Sequence, residues 1–151
     1  MESYIKNWVN GRKLLLHFFD QYTPDQLNKI PDGFNNNLIW NLGHIIAVQQ
    51  LVVYKPSNLE MKISESLADL YRPRTQPTRV VTEEEIAELR ELMSSLVEPT
   101  VSDLRNGAFT TYQEWTTSTG FNLATVKDAL AFNTYHEGMH FGYMMSIRKF
   151  L

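Results

Sequence analysis

The sequence predicts an all-α protein, a four-helix bundle with one long crossover connection. Three observations predict it. Four long stretches carry apolar residues at three- and four-residue steps, the period of an α-helix. Two of them are apolar nearly all round, as helices with neighbours on several sides are. Little of the chain has the composition of strand, so packing helix on helix is the way left to bury those faces.

The first helix covers residues 2–22, with Tyr4, Ile5, Trp8, Val9, Leu15, Leu16, Phe19 and Tyr22 as its stripe. Gly11 weakens this helix without breaking it. Thr23-Pro24-Asp25-Gln26 starts a short one, with Thr23 as cap, Pro24 at the first position and Gln26 closing a capping box. Pro31-Asp32-Gly33 stops it. Asn35, Asn36 and Asn37 offer caps for the next helix, which runs to about Tyr54 and ends before Pro56. Leu38, Ile39, Trp40, Leu42, Ile45, Ile46, Leu51 and Val52 are among the residues that cover its circumference. A polar His44 in its middle therefore needs an explanation.

Over 55–81 the pattern dissolves, and only 64–71 keeps helical spacing. A crossover this long is more often functional than a bare link. Thr82-Glu83-Glu84-Glu85 is a strong helix start, a capping box with an acidic first turn. Ile86, Leu89, Leu92, Met93 and Leu96 follow as the stripe, and Pro99 is expected to end or kink the helix. The Thr-rich stretch 106–120 reads as a short hairpin or an extended loop. The last helix begins between Asn122 and Thr125 and runs to the end, with Val126, Leu130, Phe132, Tyr135, Met139, Phe141 and Met144 spread around it. Met139, Met144 and Met145 are expected in the core, and surplus apolar surface could pack on a second subunit.

The 151 residues fit one domain spanning 1–151, long enough to bury a core without staples. There is no Cys, so any metal must sit on His, Asp or Glu. The net charge is −3 and the basic residues are scattered, apart from a small knot at Arg72, Arg74 and Arg79. That argues against a nucleic-acid partner. The start of the chain lacks the pattern of a signal peptide, and no apolar run is long enough to cross a bilayer, so the expectation is a cytoplasmic protein with no membrane partner.

Chemistry concentrates in Tyr135-His136-Glu137-Gly138-Met139-His140. His136 and His140 stand four apart, one above the other on a helix face, where both can reach one ion. With His44 from the second apolar helix they form a candidate divalent-metal site, of the kind that bundles build from facing helices. Three neutral imidazoles leave coordination positions open, which marks a reactive rather than a structural site. Zinc and nickel suit imidazole best. Asn133, one turn before His136, is either a partner that fixes an imidazole tautomer or an ordinary polar helix residue. Glu137 is expected to be a solvated or interface charge, and Arg148 a solvated helix end. His17 is expected to have a surface or packing role. His136-Glu137-x-x-His140 also matches the short H-E-x-x-H pattern of zinc proteases. The extended pattern is missing, with Tyr143 and Ser146 at its later positions, and no Asp or Glu follows His140.

Trp40-Asn41-Leu42-Gly43-His44-Ile45 resembles the second-helix segment of the DinB/YfiT-like superfamily. His136-x-x-x-His140-x-Gly142, followed by Arg148, resembles its last-helix signature, with Tyr143 where the family usually has Gln. Thr125-Val126-Lys127-Asp128-Ala129-Leu130 is similar to its usual run-up, and the order of elements agrees along the chain. The resemblance implies a four-helix bundle, commonly a homodimer, with His44, His136 and His140 as metal ligands. It implies a metal-dependent enzyme acting on a small molecule, either a transferase using a low-molecular-weight thiol such as bacillithiol or mycothiol, or a hydrolase. The alternative is a non-catalytic dimeric module that binds a metal or a small ligand. No catalytic residue beyond the ligands is identified.

Overall fold

The computed structural model describes residues 2–151. Helix α1 (Glu2–Gln21) buries Ile5, Trp8, Arg12, Leu15 and Phe18, a stripe at steps of three and four with one charge in it. Helix α2 (Pro24–Asn28) has the predicted capping box between Thr23 and Gln26. Helix α3 (Leu38–Val53) takes Asn37 as its cap, whose side-chain oxygen accepts from the Trp40 N–H at 2.9 Å. Every residue of α3 except Leu51 is buried, so this is the central helix. It packs against α2 and against three further helices, α4 (Glu65–Tyr71), α5 (Glu83–Ser95) and α7 (Val126–Ile147), while α1 packs on α5 and α7. Each fully buried aliphatic side chain, such as Leu42, Ile45 or Ile46, contributes about 1.5–3 kcal/mol of transfer free energy.

The crossover after α3 carries the one predicted short helix, α4, capped by Ser64. Helix α5 starts at the predicted Thr82–Glu85 capping box. It stops at Leu96, three residues before Pro99, and α6 (Val97–Arg105) takes over. Pro99 lies in the first turn of α6, where a missing N–H is tolerated, so the break falls upstream of the proline. Residues 108–114 are irregular, and then β1 (Trp115–Thr116) pairs antiparallel with β2 (Asn122–Leu123). Loop and hairpin are both present, in sequence. Helix α7 begins at its Thr125 cap, after Asn122 has been used in β2.

Helix α7 differs most from its expected form. Its buried face reads Ala129, Leu130, Asn133, His136, Glu137, Met144 and Ile147, with polar groups in the middle. Tyr135, Met139 and Tyr143 lie outside at 54%, 48% and 38% exposure. Met139 is therefore not a core residue, although Met144 is. The polar groups go inside because they find partners there. Glu137 is not a solvated charge. Arg12 donates to both its carboxylate oxygens, at 2.7–3.1 Å, and Trp8 Nε1 and Asn133 Nδ2 donate to Oε1 at 2.9 and 2.7 Å. The other end of Arg12 donates to Gln49 Oε1 at 2.8 Å, and Gln49 in turn donates to Thr100. This network ties α1, α3, α6 and α7 together across the bundle. No helix among the described residues is long and apolar enough to cross a membrane.

Candidate metal centre

The helical repeat stacks His136 and His140 on one face of α7, and packing of α7 against α3 brings His44 to them. One donor nitrogen from each of the three lies within 4.8 Å of the others. The pair on α7 is closer, with Nε2 to Nε2 at 3.1 Å. Two nitrogens sharing a tetrahedral ion at bonds of about 2.0–2.1 Å stand roughly 3.3 Å apart, so this spacing fits a metal.

Two of the rings are held from behind. His44 Nδ1 lies 2.6 Å from the Tyr71 carbonyl oxygen, which can only accept, so Nδ1 carries the proton and Nε2 keeps its lone pair. His140 Nδ1 lies 2.8 Å from Asn41 Oδ1. The amide of Asn41 is oriented by its own donations, to Asn36 Oδ1 at 2.9 Å and to the Asn37 carbonyl at 2.7 Å. That leaves its oxygen to His140 and frees His140 Nε2 in the same way. Fixing the tautomer through the far nitrogen is how metal-binding imidazoles are usually aimed. Trp40 stacks on His44 with ring centroids 4.6 Å apart and planes 13° apart, which removes the remaining freedom of that ring.

His136 is the exception, since its Nδ1 is buried without a hydrogen-bond partner. Asn133 Oδ1, one turn earlier, is another buried polar atom without one. Asn133 bonds to Glu137 rather than to an imidazole. Buried polar atoms without a partner are uncommon in a packed interior. Nothing behind His136 therefore fixes its tautomer, in contrast to the other two rings.

Burial sets the charge state. It pushes the pKa of His136 down to about 2 and that of His140 to about 3, with the neighbouring imidazoles adding to the effect. His44 is lowered by burial too, against a smaller opposite effect of its bond to Tyr71. All three are neutral at pH 7, the form that binds metal.

The cluster opens on a cleft of about 750 Å³. Trp40 and Leu51 wall it from α3, and Phe132, Tyr135 and Met139 from α7. Arg72, Pro73 and Arg74, from the turn after α4, form a second side, and Trp115 to Thr119 on the β1–β2 hairpin a third. The crossover is thus part of the site. No Asp, Glu or Lys lines the cleft among the described residues. Glu137, the general base of the protease pattern, is turned into the bundle in its bond with Arg12 and does not line the cleft. His17 and Arg148 are exposed and lie outside it.

Sequence reasoning did not find Asn41 or Tyr71, and it did not place the hairpin in the site. Asn41 left a trace, as a polar residue one turn before His44 in an apolar helix. Tyr71 acts through its backbone, which no side-chain pattern reveals. Gly43 is the nearest thing to a signal for it. A Cβ there would lie 2.5 Å from the Tyr71 ring, so only glycine lets that segment press onto α3.

A helical bundle with three convergent imidazoles at the floor of a cleft is an architecture for holding a divalent ion. The DinB superfamily model matches residues 7–144, and the chain belongs to that superfamily. No curated protein matches the sequence.

Proposed function

We propose that the protein is a metalloenzyme in which His44, His136 and His140 hold one divalent ion, zinc or nickel, and the cleft admits a small-molecule substrate. The observation that carries this reading is the convergence of three neutral imidazole nitrogens at the floor of an open cleft, two of them aimed by hydrogen bonds from behind. An ion so held lowers the pKa of a bound thiol or water and polarises a substrate oxygen.

Of the two reactions open to such a centre, transfer of a thiol to a small electrophile is the better supported. A thiol loses its proton on coordination and needs no further base. Hydrolysis needs proton traffic to a leaving group, and the cleft has no carboxylate to carry it. The aromatic and apolar walls would exclude water from the electrophile, while the three imidazoles keep the ion's open side turned toward it.

Metal analysis of untagged protein is expected to find about one divalent ion per chain, lost in His44→Ala. Wild type and variant carrying equally little metal would remove the basis of the proposal. The visible spectrum of the cobalt(II) form is expected to shift on adding bacillithiol, cysteine or glutathione. A spectrum indifferent to every thiol would leave hydrolysis as the reaction.

A further inference from the structure

The turn that follows α4 supplies something the chemistry at the histidines does not use. Arg72 and Arg74 both line the cleft, with Pro73 between them. Arg74 has no ion-pair partner among the described residues. Arg72 has only Asp69, at 3.5 Å, and both of those side chains are more than half exposed. Arg74 sits at φ 69°, a left-handed conformation that a non-glycine residue rarely adopts and that its surroundings must impose. Thr75 closes the turn around it. Its hydroxyl donates to the Arg72 carbonyl at 2.8 Å, or to that of Leu70 at 3.1 Å, and its N–H donates to the Arg72 carbonyl at 3.3 Å. The two guanidinium groups are therefore carried on a braced turn rather than a loose loop.

The charge balance of the cleft points one way. It is lined by two permanent cations and, among the described residues, by no anionic side chain. A bound divalent ion would make it more positive still. Such a cleft attracts an anion and stays partly uncompensated without one. The guanidinium fork matches the planar, two-oxygen face of a carboxylate. The remaining walls, Trp115, Phe132, Tyr135 and Met139, suit an apolar or aromatic body.

We infer that the ligand of this cleft is a small organic acid, its carboxylate held by Arg72 and Arg74 while its reacting end faces the three histidines. This deepens the metalloenzyme reading and rests on it for the identity of the reacting end. The carboxylate can belong to either partner in the reaction, the thiol or the electrophile.

The test uses the full chain, loaded with cobalt(II), and two probes, para-trifluoromethylbenzoate and its uncharged amide, followed by fluorine NMR. Cobalt uptake is read separately from the visible spectrum. If cobalt is not taken up, the metalloenzyme reading falls, and the same titration on metal-free protein still decides this one. The acid is expected to bind at least about tenfold more tightly than the amide. In Arg72→Gln/Arg74→Gln that preference should vanish, with the amide's affinity and the cobalt spectrum unchanged. Both side chains are exposed, so the double variant should fold normally. Equal binding of acid and amide by the wild type, or binding of neither, overturns the inference. So does a preference that survives in the double variant, since the carboxylate then sits elsewhere.

Discussion

Gly43 lacks a side chain, and that lets its neighbour His44 be held. With a Cβ at Gly43, the Tyr71 ring would have to move, and the Tyr71 carbonyl that fixes His44 would move with it. The substitution Gly43→Ala separates two effects of opposite sign. Alanine is the better helix former by about 1 kcal/mol, so on propensity alone α3 would gain stability. Metal affinity is expected to fall instead, by about 10- to 100-fold, as is usual when a group orienting a ligand is disturbed. Competition against a coloured chelator measures it, and unchanged affinity would mean that Tyr71 does not aim His44. At this scale the sequence showed the three histidines, because imidazoles in apolar helices stand out. It did not show Asn41 and Tyr71, because their contribution is a hydrogen bond across tertiary contacts 99 and 27 residues apart in the chain.

Elements were legible where their signals are local. The capping boxes at Thr23 and Thr82 formed as read, since a cap needs only its own four residues. The face of α7 was not legible. Periodicity counts apolar side chains, and α7 buries Asn133, His136 and Glu137 while leaving Tyr135 and Met139 outside. What turns the helix this way is a charge on another element, Arg12 of α1. The pair has side-chain exposures of 3% and 5%, so breaking it leaves a charge stranded in the interior. Glu137→Gln is expected to destabilise the fold by about 3–5 kcal/mol, seen as a lower urea midpoint. A normal midpoint with lost activity would instead revive the protease pattern, in which Glu137 is a base and not a strut.

Across the whole molecule, the buried imidazoles link stability to pH. Their folded pKa values are depressed, to about 2 and 3 for His136 and His140, below the ordinary value of about 6.5. Well above pH 6.5 they are neutral in both the folded and the unfolded chain, and contribute no pH dependence. Below it the unfolded chain takes up protons that the folded chain refuses, so stability falls as pH falls. At pH 5.5 the loss is on the order of 1 kcal/mol for each of these two groups in metal-free protein. Thermal unfolding between pH 8 and 5 checks this, and a flat profile would show that the histidines are not closed off from water. Metal binding should deepen the acid sensitivity, because protons and metal compete for the same nitrogens.

The cleft itself is a property of this scale. The turn at Arg72–Arg74 and the hairpin at 115–123 meet α3 and α7 only in the folded molecule. Their composition, prolines in one and threonines in the other, reads locally as connection and nothing more. The length of the crossover was the one hint that it does more than connect.

X-ray absorption on protein loaded with one equivalent of zinc asks the central question directly. The expected spectrum shows about three imidazole nitrogens at about 2.0–2.1 Å with their characteristic outer-shell scattering, one imidazole fewer in His44→Ala, and a light atom completing the ion's open side. A shell of oxygen alone, or a spectrum that His44→Ala leaves unchanged, would contradict it.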